Sequence, residues 1–180
     1  MQVIQHALAG VVEFIPRVFG DARGAFFESF SDRLMREAGV VGNWVQDNQS
    51  KSARGVLRGL HFQRPPHAQA KLVRVAAGRA LDVVVDIRRD SPTYGQHVAV
   101  ELDASRYNML YVPVGFAHGF ASLEDDTLFL YKCTDYYQPS AEGGLRWDDP
   151  ALGINWDLNN ATVSDKDRIL PLLADFDSPF

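Results

Sequence analysis

Residues 71–133 read KLVRVAAGRALDVVVDIRRDSPTYGQHVAVELDASRYNMLYVPVGFAHGFASLEDDTLFLYKC. Short β-rich runs follow one another here, at 71–75, 80–87, 97–102, 109–112 and 127–134. Turn formers separate them: Gly78, Ser91-Pro92, Asp103-Ala104-Ser105, Pro113 with Gly115, and Glu124-Asp125-Asp126. β-branched and aromatic residues suit a pleated, half-buried surface, whereas Gly, Pro and Asp reverse the chain. No helical period interrupts the series, so the stretch predicts an all-β sandwich or barrel.

Successive strand residues point to opposite faces, which makes a polar residue in phase with large apolar ones an inward-facing residue. Lys71 is in phase with Val73 and Val75, His118 with Phe116 and Phe120, and Tyr131 with Phe129 and Cys133. His61 is in phase with Gly59 and Gln63, opposite Leu60 and Phe62. Taken singly, each has an ordinary explanation as a satisfied core residue or one leaning to solvent. Four together on separate strands are costly to bury unless they line a cavity, so the pattern predicts a ligand site inside the barrel. His6, His67 and His97 are expected near turns or on solvent faces.

Outward from this region, one helix is expected, with Ser31 capping its first turn, Leu34, Met35 and Ala38 on one face and Gly39 closing it. The tail after Trp147 reads as loop, apart from a short apolar piece at 169–173. The 180 residues, 46% hydrophobic and 23% charged, fit one domain spanning 1–180. A net charge of −5 argues against a nucleic-acid partner, because that grip works through many Lys and Arg contacts. No run approaches the roughly 20 apolar residues of a membrane span, and the chain is expected to be cytoplasmic. Cys133 is the only cysteine, expected as a buried, inert thiol.

Pro113-Val114-Gly115-Phe116-Ala117-His118 has the P-x-G-x-x-H spacing that resembles the last histidine ligand of metal-binding cupins. Those proteins also present H-x-H followed by Glu, whereas this chain has His61-Phe62-Gln63 followed by His67 and Ala68. A divalent site needs three or four ligands, so no metal and no other cofactor is expected. Without a metal the inward groups suit proton abstraction beside a carbonyl. A histidine serves as base, a lysine stabilises an enolate oxygen, and a tyrosine returns a proton from the other side. Asp165-Lys166-Asp167 reads either as a solvated charge run or as the source of a carboxylate that orients His61. Arg23, Lys51, Arg54 and Arg58 offer cations for a diphosphate. Phe26, Phe27, Tyr136 and Tyr137 are candidates for stacking on a base, with Phe26 and Phe27 equally readable as core.

Over nearly its whole length the chain resembles the dTDP-4-dehydrorhamnose 3,5-epimerases. The runs that carry this are Asp21-Ala22-Arg23-Gly24 with Phe27-Glu28, Gln46-Asp47-Asn48, Gly55 to Gln63, Pro113 to Phe120, Tyr131 to Tyr137, Arg146 to Pro150 and Ser164 to Asp167. The resemblance implies a cupin-type jelly-roll β-barrel with a few short helices. It implies conversion of dTDP-4-dehydro-6-deoxy-glucose to dTDP-4-dehydro-L-rhamnose, with a one-carbon 3-epimerase as the alternative and a metal-dependent cupin enzyme further off. It assigns His61 as base paired with Asp167, Tyr131 as acid and Lys71 to the enolate. Arg23, Phe26, Glu28, Gln46, Asn48, Arg58, His118, Tyr137, Glu142 and Lys166 fall to binding of the dTDP-sugar. It further implies a homodimer whose N-terminal strands cross between subunits. Gln49 departs from the pattern, since many relatives carry His there.

Overall fold

The computed structural model describes all 180 residues. Its strands are β1 (Gln2–Gln5), β2 (Val12–Ile15), β3 (Val18–Asp21), β4 (Gly24–Phe27), β5 (Gln46–Ser52), β6 (Leu57–Gln63), β7 (Lys71–Ala77), β8 (Arg79–Asp86), β9 (His97–Asp103), β10 (Met109–Val112), β11 (Phe116–Ser122), β12 (Thr127–Cys133) and β13 (Glu142–Gly144). Two short helices accompany them, α1 (Asp32–Glu37) and α2 (Asp165–Arg168). No helix is long and apolar enough to cross a membrane.

Six strands form one sheet in the order β1-β2-β10-β7-β12-β5, and five form another in the order β13-β6-β11-β8-β9. All named pairings are antiparallel. No strand pairing joins the two sheets, so the expected barrel is an open, two-sheet jelly roll. β3 and β4 form a hairpin that pairs with neither sheet.

Strand alternation explains the layering. In β8, Ala80 and Val84 enter the core between the sheets, while Val83 and Val85 enter a second core on the far side. β11 behaves alike: Phe116 and Phe120 face the first core, Ala117 and Ala121 the second. The central strands of the five-stranded sheet are therefore buried on both faces. Their outer cover is the chain after Gly144, through Leu145, Leu152, Trp156 and Val163. Between the sheets, Phe120 and Phe129 stack at 3.8 Å with rings 2° from parallel, joining β11 to β12. A third core lies outside the six-stranded sheet, where Met35 of α1 and Val40 pack on Phe14, Leu72 and Met109.

Several expectations change. The strands at 71–133 are present, extended by a residue or two at some ends, with β11 as a further strand. Ser31 does precede α1, but its side chain makes no capping hydrogen bond. The C-terminal segment is not all loop, because α2 forms there with Ser164 Oγ accepting from the Asp167 N–H. His6 stands at the turn between β1 and β2, as expected, partly buried with its Nε2 3.3 Å from the Glu13 carboxylate.

One close approach sets the position of the strand that carries His61. β6 and β11 slip register between His118 and Phe120, and at that point Gly59 and Gly119 meet. A Cβ on Gly119 would lie 2.7 Å from the Arg58 carbonyl oxygen and 3.0 Å from Gly59 Cα, both backbone atoms unable to swing aside. Gly119→Ala is expected to cost about 1–3 kcal/mol, as overpacking does. Melting followed by circular dichroism should then fall by roughly 2–4 °C per kcal/mol. An unchanged melting curve would refute the close-approach argument.

Candidate active site

A cavity of about 460 Å³ opens between the sheets, lined among others by Arg58, His61, Lys71, His118, Tyr131 and Asp167. A polar lobe of about 290 Å³ adjoins it, sharing His61, Lys71 and Tyr131 and adding Gln46, Asn48, Tyr137 and Glu142. His61 and His118 come from the five-stranded sheet, on adjacent strands and directly opposite each other. Lys71 and Tyr131 come from the six-stranded sheet, on the adjacent strands β7 and β12. The two pairs thus face one space from opposite walls, as the in-phase reading of the four strands predicts.

The His61 ring is held by a residue 106 positions away: Nε2 lies 2.7 Å from Asp167 Oδ1. A carboxylate only accepts, so Nε2 carries the hydrogen and Nδ1 keeps its lone pair. The second Asp167 oxygen accepts from the Gly59 N–H at 3.3 Å. Burial alone raises the Asp167 carboxyl, but the bond to His61, its charge and the Gly59 N–H outweigh this and leave it below the ordinary range. Asp167 is therefore an anion at neutral pH, held ready to accept from the His61 ring.

On the facing wall, burial is the main influence on both groups. It pulls the Lys71 ammonium below the ordinary lysine range, opposed by Cys133, Asp82 and Glu142. It pushes the Tyr131 phenol above the ordinary tyrosine range, so this hydroxyl holds its proton. The Cys133 thiol is buried, and burial raises it too, consistent with an unreactive thiol.

His118 has its own aspartate, with Nε2 2.9 Å from Asp82 Oδ2. Burial holds the ring below the ordinary histidine range against the pull of Asp82, so His118 is neutral. Sequence reading passed over Asp82. The signal was present, because Asp82 is in phase with Ala80 and Val84, both of which face the inter-sheet core.

The binding candidates divide into two groups. Glu142 accepts from Lys166 at 2.5 Å and from the Tyr137 hydroxyl at 2.9 Å, and the Tyr137 N–H donates to Gln46 Oε1 at 2.9 Å. Gln46 Nε2 reaches Asn48 Oδ1 at 3.1 Å, so these five residues form one connected polar rim. Arg58 lines the main cavity with Nε donating to Ser52 Oγ at 3.3 Å. Lys51 pairs instead with Asp126, and neither it nor Arg54 lines either lobe. Arg23, Phe26 and Glu28 are exposed and line neither lobe, and Phe26 is not core. Arg23 is engaged by Asp21 on its own hairpin. Tyr136 is exposed and lines neither lobe.

No three His, Cys, Asp or Glu side chains converge anywhere in the chain. Gln63, at the place of a second metal-ligating histidine, donates to the His67 and Tyr136 carbonyls at 2.7 and 3.2 Å. Its oxygen accepts from the Gln138 N–H at 2.8 Å. The donor set that a divalent ion requires does not fit here.

The model of the family described as dTDP-4-dehydrorhamnose 3,5-epimerase matches residues 5–175. The dTDP-4-dehydrorhamnose 3,5-epimerase of Salmonella typhimurium is 51% identical over 175 residues, 96% of each chain. The crystal structure of dTDP-6-deoxy-D-glucose-3,5-epimerase from Legionella pneumophila, in complex with dTDP-4-keto-L-rhamnose, superposes with a TM-score of 0.94. It is 43% identical, covering 98% of this chain and 94% of that one. A 3'-monoepimerase from Streptomyces bikiniensis, in complex with dTDP-quinovose, gives a TM-score of 0.88 at 37% identity, covering 94% of this chain and 88% of its own. With its jelly roll, its two-walled cavity and its match over nearly the full length, the chain belongs to the dTDP-4-dehydrorhamnose 3,5-epimerase family.

Proposed function

We propose that His61, oriented by Asp167, abstracts the protons beside the C4 ketone of dTDP-4-dehydro-6-deoxy-glucose, and that Tyr131 returns a proton from the opposite wall. The observation that carries this is the opposition of the His61–Asp167 pair on one sheet to Tyr131 and Lys71 on the other. Inversion needs a donor on the face the base does not reach, and the two sheets provide both faces. Lys71 then stabilises the enolate oxygen by its charge, most strongly once that oxygen becomes negative. No metal takes part. The rim of Gln46, Asn48, Tyr137, Glu142 and Lys166 binds the nucleotide part, with Arg58 and His118 completing the contacts.

Heavy-water NMR separates the steps. With dTDP-4-dehydro-6-deoxy-glucose in a buffer containing EDTA, the wild type should place deuterium at C3 and C5. His61→Ala should abolish exchange at both, since no enolate forms. Tyr131→Phe should still wash label into recovered substrate while inversion drops by roughly 10²–10⁴-fold. Normal exchange in His61→Ala, or full inversion in Tyr131→Phe, would mean the roles are misassigned. Label at C3 alone in the wild type would favour the one-carbon reading represented by the Streptomyces bikiniensis enzyme. Dependence on an added divalent ion would defeat the metal-free reading.

Burial lowers Lys71 and raises Tyr131, which brings loss of the ammonium proton to lower pH and moves loss of the phenol proton to higher pH. Lys71→Ala should therefore lower kcat with KM near wild type. The alkaline limb of deuterium wash-in should persist in Tyr131→Phe, because Lys71 sets it. Loss of that limb in Tyr131→Phe would assign it to the tyrosine.

The same reading includes a homodimer in which the β3–β4 hairpin reaches the partner's cavity. Phe19 and Phe26 are exposed on that hairpin, and Arg23 and Glu28 lie outside their own chain's cavity. Hybrid dimers test it. Mixing Arg23→Ala chains with His61→Ala chains assembles one intact site per hybrid, so the mixture should regain activity that neither parent has. No recovery in verified hybrids would place Arg23 in its own subunit's site or in none.

A further inference from the structure

One face of β5 carries Gln46, Asn48, Ser50 and Ser52, a row of polar residues turned toward the cavity. Polar atoms covered from water ordinarily find a partner, and three of the four do. Gln46 bonds Asn48 and accepts from the Tyr137 N–H, Asn48 reaches the Cys133 sulfur at 3.8 Å, and Ser52 Oγ accepts from Arg58 Nε. Ser50 breaks the row, because its Oγ is covered from solvent and bonds nothing in the protein. His6, Trp44 and Asp82 also hold an unpartnered buried atom, but Ser50 alone among them lines the cavity. An unpaired buried hydroxyl destabilises a fold. It also turns about a single bond between staggered positions and both donates and accepts, so it can meet a ligand in the space that Ser50 lines.

We propose that Ser50 is a sugar-binding residue of this site and holds the C2 hydroxyl of the substrate's hexose. This contact rests on the turnover proposed for His61, Tyr131 and Lys71. Gln46 and Asn48 line the polar lobe and Ser50 the main cavity, so the row leads from the nucleotide rim to the space beside the base and acid. Asn48 stands opposite Tyr131 on β12, and Ser50 opposite Phe129. Ser50 and Tyr131 are thus diagonal neighbours on one face, about 7–8 Å apart at the backbone, and a pyranose ring can reach both. The chemistry of the sugar selects the atom. C1 carries the diphosphate, C4 is the ketone and C6 is a methyl, which leaves hydroxyls at C2 and C3. C3 inverts, so its hydroxyl changes direction during turnover, whereas C2 keeps its configuration. A fixed serine can hold the C2 hydroxyl from the first proton transfer to the last.

The test compares wild type and Ser50→Ala on dTDP-4-dehydro-6-deoxy-glucose and on its 2-deoxy analogue, with dTDP affinity by calorimetry and a melting curve for each protein. Ser50→Ala should melt no lower than wild type, because no bond within the protein is lost, and should bind dTDP equally well. Its kcat/KM for the full substrate should fall about tenfold, the weight of one hydrogen bond whose partner is left unpaired. On the 2-deoxy analogue the two proteins should be equal, both about tenfold below wild type on the full substrate. Wild-type kcat/KM in Ser50→Ala overturns the proposal. An equal loss on both sugars, or a matching loss of dTDP affinity, overturns it too and leaves Ser50 a packing residue of the wall. So does an analogue that neither protein turns over, since one hydrogen bond contributes too little for that. Ser50→Cys, close in shape and a weak hydrogen bonder, replaces Ser50→Ala should that variant fail to fold, with the same outcomes. A wild type inert toward dTDP-4-dehydro-6-deoxy-glucose would remove the proposed turnover and this contact with it. An active wild type beside an unimpaired Ser50→Ala removes the contact alone.

Discussion

The hydrogen bond between His61 and Asp167 ties the last quarter of the chain to the middle of the five-stranded sheet. Its geometry depends on both ends being fixed before they meet. On one side, β6 is brought close to β11 by two glycines, Gly59 and Gly119, where any side chain would strike backbone. On the other, α2 is a single turn whose start is capped by Ser164, which aims Asp167 back toward the sheet. The Gly59 N–H completes the link by bonding the second carboxylate oxygen. The residues that permit the close packing of the strands are thus next to those that orient His61.

The rest of the site follows from burying charge between two largely apolar walls. In that space a fixed charge acts strongly, because little solvent screens it. Each imidazole is given a carboxylate, and the two pairs behave differently. Asp167 stays anionic beside a ring at the cavity surface, whereas Asp82 lies beneath a ring so deeply buried that it remains neutral. One histidine thereby stands at the cavity surface, while the other holds a fixed hydrogen-bonding pattern beneath it. Burial shifts Lys71 and Tyr131 on the facing sheet in opposite directions, the ammonium becoming more acidic and the phenol less so.

Much of this was legible from strand periodicity. Lys71, His118 and Tyr131 each face the core because they alternate in step with Val73, Phe116 and Phe129, and the structure places all three on the cavity wall. The same rule applied to β8 would have exposed Asp82, which a run otherwise rich in valine concealed. Where local pattern misled, a tertiary partner was the reason. Lys51 and Arg54 lie close in sequence to His61, yet neither lines the cavity, and the turn at 124–126 holds the Lys51 ammonium through Asp126. Asp167 belonged to a run of charges with no apolar phase, so strand periodicity could not distinguish it from Asp165, and it was the family resemblance that singled it out. Ser31 stands where a cap belongs without making the bond, whereas Ser164, in a segment read as loop, does make it.

The sequence by itself determined which residues form strands and which face of each strand turns inward, because both follow from side-chain chemistry repeating along a pleated chain. It also carried the family, since long ordered runs such as Gly55 to Gln63 and Pro113 to Phe120 are specific without any structure. The tertiary structure supplied the contacts themselves: the bond of His61 to Asp167 that the resemblance implied, the bond of His118 to Asp82, and the placing of His61 and Tyr131 on different sheets. It also decided that Arg23, Phe26 and Glu28 lie outside their own chain's cavity. Pairings of this kind depend on how distant strands are brought together, and the local alternation of apolar and polar residues carries no record of that distance.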